Sequence, residues 1–82
     1  GSVVEHDCQI DAIVHIAPNA TVCGGCSIGE GTLVGAGAVV IPGIQIGKWC
    51  TIGAGAIVNQ DVPDGLTVVG NPARKISVND SK

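Results

Sequence analysis

From Val4 to Val58 an aliphatic residue stands at every sixth position, passing through Ile10, Ile16, Val22, Ile28, Val34, Val40, Ile46 and Ile52 without an insertion. A period of six is a multiple of the two-residue strand repeat but not of the helical turn, so these positions keep to one side of an extended chain. A short fixed period also marks a stacked-repeat fold. The residue two before each rung is small or apolar, as at Cys8, Ala20, Cys26, Thr32, Ala38, Cys50 and Ala56. The residue just before the rung points outward, and the three after it carry turn chemistry, as in Gly29-Glu30-Gly31, Gly35-Ala36-Gly37 and Gly53-Ala54-Gly55. Glycine there permits positive φ and close backbone approach. Each hexad therefore predicts a very short strand followed by a corner.

The repeat ends after Val58, because its next rung would be Asp64 inside the turn-forming run Asp61-Val62-Pro63-Asp64-Gly65. A last strand is expected over roughly Leu66 to Val69, followed by Gly70-Asn71-Pro72-Ala73-Arg74-Lys75-Ile76. The predicted organisation is an expression scar at 1–2, the repeat at 3–62, a C-terminal loop and capping strand at 63–76, and a polar tail at 77–82. Solenoids need capped ends. The first rung has no cap, so the chain is expected to be a fragment of a longer protein.

Composition narrows the core. Of 82 residues 45% are apolar, yet Phe, Tyr and Met are absent, Trp49 is the one aromatic residue, and 13 are Gly. Val, Ile and Ala must then fill a thin interior. The net charge of −3 with no basic run argues against nucleic acid and anionic membranes as partners. No apolar stretch approaches the roughly 18 residues of a membrane helix. The frame turns Cys8, Cys26 and Cys50 inward, where a free thiol fills space as a small hydrophobe. Reduced thiols and a cytoplasmic location follow as expectations. Cys23-Gly24-Gly25-Cys26 looks like a redox or zinc motif, but the frame puts Cys26 inside and Cys23 at an outward corner.

Over Val4 to about Ile76 this pattern resembles the hexapeptide-repeat acyltransferases. The resemblance implies an all-β fold, a left-handed parallel β-helix of about three and a half triangular coils, three hexads to a coil. Folded that way, Gln9, Ser27 and Gln45 form a polar face, while Val3, Thr21, Val39 and Ile57 form a largely apolar one that invites a partner. The subunit contact is expected near the corners 17–19, 35–37 and 53–55. Glu5-His6-Asp7-Cys8, His15-Ile16-Ala17-Pro18-Asn19-Ala20, Gly24 and the closing Val-Gly-Asn-Pro-Ala-Arg narrow the likeness. They resemble the branch of sialic-acid O-acetyltransferases and nucleotide-activated 4-amino-sugar N-acetyltransferases.

The resemblance implies acetyl-CoA as donor, no metal, a homotrimer with active sites between subunits, and a sugar acceptor, nucleotide-linked in this branch. It implies His6 as the general base and Asp7 as the acid that raises the base's proton affinity. Without it, a histidine between Glu5 and Asp7 reads as an ordinary surface residue. His15 is half a coil from His6 and would meet it only across a subunit boundary, there to contact the donor. Gly24 lies one coil beyond His6, where its N–H could hold an oxyanion, though turn geometry alone would also explain a glycine. Ala36 and Ala54 match the backbone contacts to the pantetheine arm, and Arg74 with Lys75 could meet coenzyme A phosphates. Two other readings stand beside this one. The chain could be a trimeric β-helix that has lost its acceptor site, or a γ-class carbonic-anhydrase-like enzyme, which needs three zinc-binding histidines where this sequence has two.

Overall fold

The computed structural model describes residues 1–78, with side chains through Ile76. The part of the predicted polar tail at 79–82 lies outside the described residues. Ten two-residue strands follow one another at the predicted positions: β1 (Val3–Val4), β2 (Gln9–Ile10), β3 (His15–Ile16), β4 (Thr21–Val22), β5 (Ser27–Ile28), β6 (Leu33–Val34), β7 (Val39–Val40), β8 (Gln45–Ile46), β9 (Thr51–Ile52) and β10 (Ile57–Val58). Two longer strands complete the order, β11 (Leu66–Val69) and β12 (Arg74–Val78).

Among β1–β10 every third strand pairs in parallel, giving three sheets. The first sheet is β1-β4-β7-β10, the second β2-β5-β8, and the third β3-β6-β9-β11 with β12 added antiparallel at its edge. Partners within β1–β10 are eighteen apart, as Val4 with Val22 and Ile16 with Val34 show. The three corners recur accordingly. The first holds 5–7, 23–25 and 41–43; the second 11–13, 29–31 and 47–49; the third 17–19, 35–37 and 53–55.

Rungs and their inner neighbours make the core. Val22, Ile28, Val34, Val40, Ile46, Ile52 and Val58 are buried, as are Ala20, Ala38 and Ala56 beside them. Burying each Val or Ile contributes on the order of 1.5–3 kcal/mol. The first coil differs: Val4 and Ile10 remain 43% and 38% exposed, because no strand lies on their other side.

Two features depart from the sequence reading. The six-residue spacing does not stop after Val58; it loses two residues and resumes at Val62 and Val68. Val62 bridges Ile46 and Val68 pairs with Ile52, and both are buried. The solenoid therefore runs to about four coils. Residues 70–73 then close over β10, with the Ile57 amide donating to Gly70 O at 2.9 Å and the Ala73 amide to Ile57 O at 2.8 Å. The second departure is β12. It includes Arg74 and Lys75 and takes in Ser77 and Val78, which the polarity of the segment assigned to the tail.

The corners have a fixed backbone plan. The third residue after each rung has positive φ from Asp7 to Gly55, without exception. Glycine fills five of these nine positions, while Asp7, Ile13, Asn19 and Trp49 adopt the same conformation with side chains. For Ile13 that is costly, since β-branched residues avoid positive φ. Trp49 is accommodated by the coil below: its ring lies where a Cβ on Gly31 would be.

Candidate active site

The sequence-derived candidates fall into two groups on opposite parts of the prism. His6, Asp7 and Gly24 lie at the first corner, on adjacent coils, and with Val4, Glu5 and Gly25 they line an open depression. His15 faces outward from the third sheet, whose strands β6 and β9 lead into the corner of Ala36 and Ala54. Arg74 and Lys75 belong to β12 at the edge of that same sheet. His6, His15, Ala36, Ala54, Arg74 and Lys75 are all exposed.

At the first corner the two turns are tied together. The Gly25 amide donates to His6 O at 3.1 Å, and a Cβ on Gly24 would sit 3.3 Å from that same oxygen. Gly24 keeps an ordinary φ, so its lack of a side chain matters for space above His6 rather than for the turn. The Gly24 N–H, the candidate oxyanion donor, has a partner already: it donates to Glu5 Oε1 at 3.1 Å. Sequence reasoning did not assign Glu5 a role. The available signal was an acid one position before His6, within reach of the next coil's corner. Among the described residues, neither the His6 imidazole nor the Asp7 carboxylate makes a hydrogen bond, so the two are neighbours in sequence without being joined here.

The cysteines do more than occupy volume. Cys8 Sγ donates to Cys23 O at 3.1 Å and Cys26 Sγ to Ile41 O at 3.2 Å, each reaching the corner of the following coil. Cys50 Sγ donates to Pro63 O at 3.1 Å. Thr32 performs the same task with a hydroxyl, donating to Gly47 O at 2.7 Å while accepting the Cys50 amide at 3.1 Å. All four thiols are free. Burial pushes the Cys26 thiol above its ordinary value, and burial followed by the charge of Glu5 does the same for Cys23. Neither is poised as a nucleophile, since the thiolate is the reactive form. Among the described residues no group of three His, Cys, Asp or Glu side chains is placed to hold a metal ion.

Residues 25–60 match the model of the bacterial transferase hexapeptide family, six repeats. The chain carries the hexapeptide repeat of that family. Its coil is the left-handed β-helix that these repeats imply. The acetyltransferase domain of PglB from Neisseria gonorrhoeae FA1090 superposes with a TM-score of 0.91 at 45% identity, over 92% of this chain and 37% of that one. PerB from Caulobacter crescentus, in complex with CoA and GDP-perosamine, gives 0.93 at 43% identity, over 94% and 37%. UDP-N-acetylglucosamine O-acyltransferase (LpxA) from Moraxella catarrhalis RH4 gives 0.90 at 27% identity, over 92% and 29%. The chain thus spans little more than a third of the first two proteins. No curated protein sequence matches it.

Proposed function

We propose that this hexapeptide-repeat chain is the donor-binding part of an acetyl-CoA-dependent acetyltransferase whose acceptor is an amino group on a nucleotide-linked sugar. The observation that carries the reading is the first corner. There an exposed imidazole and a backbone N–H lie on adjacent coils around one open depression, in a chain close to two acetyltransferases. The PglB domain binds acetyl coenzyme A, and perosamine N-acetyltransferase binds CoA with GDP-perosamine, including in a variant whose histidine is replaced by asparagine. Higher identity to these proteins than to the O-acyltransferase favours nitrogen over oxygen as the nucleophile.

In this reading the acceptor amine attacks the thioester carbonyl and a C–N bond forms. The carbonyl electron pair moves to oxygen, where the Gly24 N–H stabilises it. His6 takes the proton from nitrogen, and Asp7, its neighbour in sequence, is the acid assigned to this base. Collapse of the intermediate breaks the C–S bond, and the leaving thiolate recovers the proton from His6. The same chain's His15 is too far around the prism to join this centre, so it serves the site of a neighbour in a homotrimer. The backbone at Ala36 and Ala54 and the charges of Arg74 and Lys75 hold the pantetheine arm and phosphates of the donor. Among the described residues the amides of Ala36 and Ala54 have no hydrogen-bond partner, so both are open to a ligand. Free thiols suit a reducing cytoplasm.

The test is release of CoA from acetyl-CoA with GDP-perosamine and UDP-linked 4-amino sugars as acceptors, together with the mass of the oligomer in solution. Turnover that disappears in His6→Ala while CoA still binds supports the reading; an unaffected rate sinks the assignment of His6. The short span relative to PglB and PerB favours one alternative, in which the chain supplies the donor half only. CoA binding without turnover on any acceptor would select it.

A further inference from the structure

The contact between Glu5 and Gly24 becomes informative when all equivalent corner amides are compared. The second residue after a rung, except at Pro18 and Pro42, has an N–H that coil-to-coil pairing does not use. At His6, Ala12, Glu30, Ala36 and Ala54 this donor has no partner among the described residues. At Gly24 and Lys48 it has one, and both partners are carboxylates: Glu5 Oε1 at 3.1 Å and Asp64 Oδ1 at 2.8 Å. The two cases differ in their surroundings. Asp64 belongs to the loop that covers the solenoid, and the adjacent Gly65 amide anchors that loop to Lys48 O at 2.9 Å. Glu5 closes nothing. It is exposed, it lines the depression beside His6, and water can replace it at little cost.

We propose that Glu5 is a resident stand-in for the acyl oxygen. With no acyl donor bound, its carboxylate occupies the Gly24 N–H; when the thioester arrives, the carbonyl oxygen takes the donor and the carboxylate swings out. The exchange is required by charge, since a carboxylate left on that amide would repel the oxyanion that forms there. It also makes Glu5 a positioning residue that discriminates between ligands. Only a ligand carrying a carbonyl at that point competes with it, so acetyl-CoA must displace Glu5 while CoA need not. This inference rests on the acetyltransferase reading of the same site.

The experiment compares the affinities of acetyl-CoA and CoA for the full-length protein, its Glu5→Gln variant and its Glu5→Ala variant, by calorimetry. Trp49 fluorescence checks that each is folded. Removing the competitor should raise the preference for acetyl-CoA over CoA by about fivefold in Glu5→Ala, with CoA affinity itself unmoved. Glu5→Gln should fall between, because its neutral oxygen still accepts the amide but more weakly. If Glu5 is only a brace for the corner, the preference stays constant or drops, and that result overturns the proposal alone. Failure of the unsubstituted protein to bind either ligand would overturn the acetyltransferase reading and this inference with it.

Discussion

The first and third corners of the prism are cut from the same hexad, yet they close differently. At the third, the turn satisfies itself: the amides of Ala20, Ala38 and Ala56 donate to Ala17 O, Gly35 O and Gly53 O at 3.2, 3.1 and 3.1 Å. The inner residue needs no polar atom, and the column is all alanine. At the first, the carbonyls of Cys23 and Ile41 take thiol donors from Cys8 and Cys26 in the coil before. The difference shows how a uniform repeat makes non-uniform sites. At the third corner the outer amides of Ala36 and Ala54 are open, whereas the first carries an imidazole and, at Gly24, an amide already held by Glu5.

Space separates the corners most sharply. A Cβ on Gly35 would lie 2.7 Å from both Ala54 N and Ile52 O, backbone atoms that cannot withdraw. Gly35→Ala should therefore cost about 3 kcal/mol in urea unfolding. Gly24→Ala meets only His6 O at 3.3 Å and should cost under about 1 kcal/mol, while weakening acetyl-CoA binding. Equal destabilisation by the two would contradict the account. The second corner tests the need for an inner donor. Thr32→Val leaves the Cys50 amide without its acceptor inside the core, for a loss of about 2 kcal/mol. A neutral outcome would mean that the hydroxyl is packing alone.

Smaller effects come from strain and charge. Ile13 holds a φ of 63° at a position where Asn19 and five glycines show what fits. It is 72% exposed, so Ile13→Asn gives up little burial and should stabilise the chain by about 1 kcal/mol. The weakest effect is alkaline. Cys23 and Cys26 keep their protons in the folded chain above the ordinary 9.0, where the unfolded chain loses them. Their contribution is complete below that value, and stability falls as pH rises past it. Urea midpoints that decline above about pH 9 in the parent and decline less in Cys26→Ala would show it.

The ten rungs, the outward His6 and His15 and the inward cysteines were legible because a period of six fixes sidedness residue by residue. Three things were not. The two-residue loss after Val58 hides behind Pro63-Asp64-Gly65, which reads as a terminus when Val62 and Val68 in fact continue the spacing. Positive φ at Ile13 and Trp49 has no sequence signal, since neither residue favours it; the column position imposes it. The Glu5 contact depends on where one flexible carboxylate goes, which periodicity cannot reach.

The central claim is that one chain carries two half-sites, His6 at the first corner and His15 on the third sheet, and that a neighbour completes each. Coexpression of His6→Ala with His15→Ala chains tests it most directly. Each variant alone is expected to be inactive. In randomly mixed trimers, about a quarter of the interfaces pair an intact His6 with an intact His15. The account predicts acetyl transfer recovering to about that fraction of the parent rate. No recovery in verified mixed trimers would contradict it.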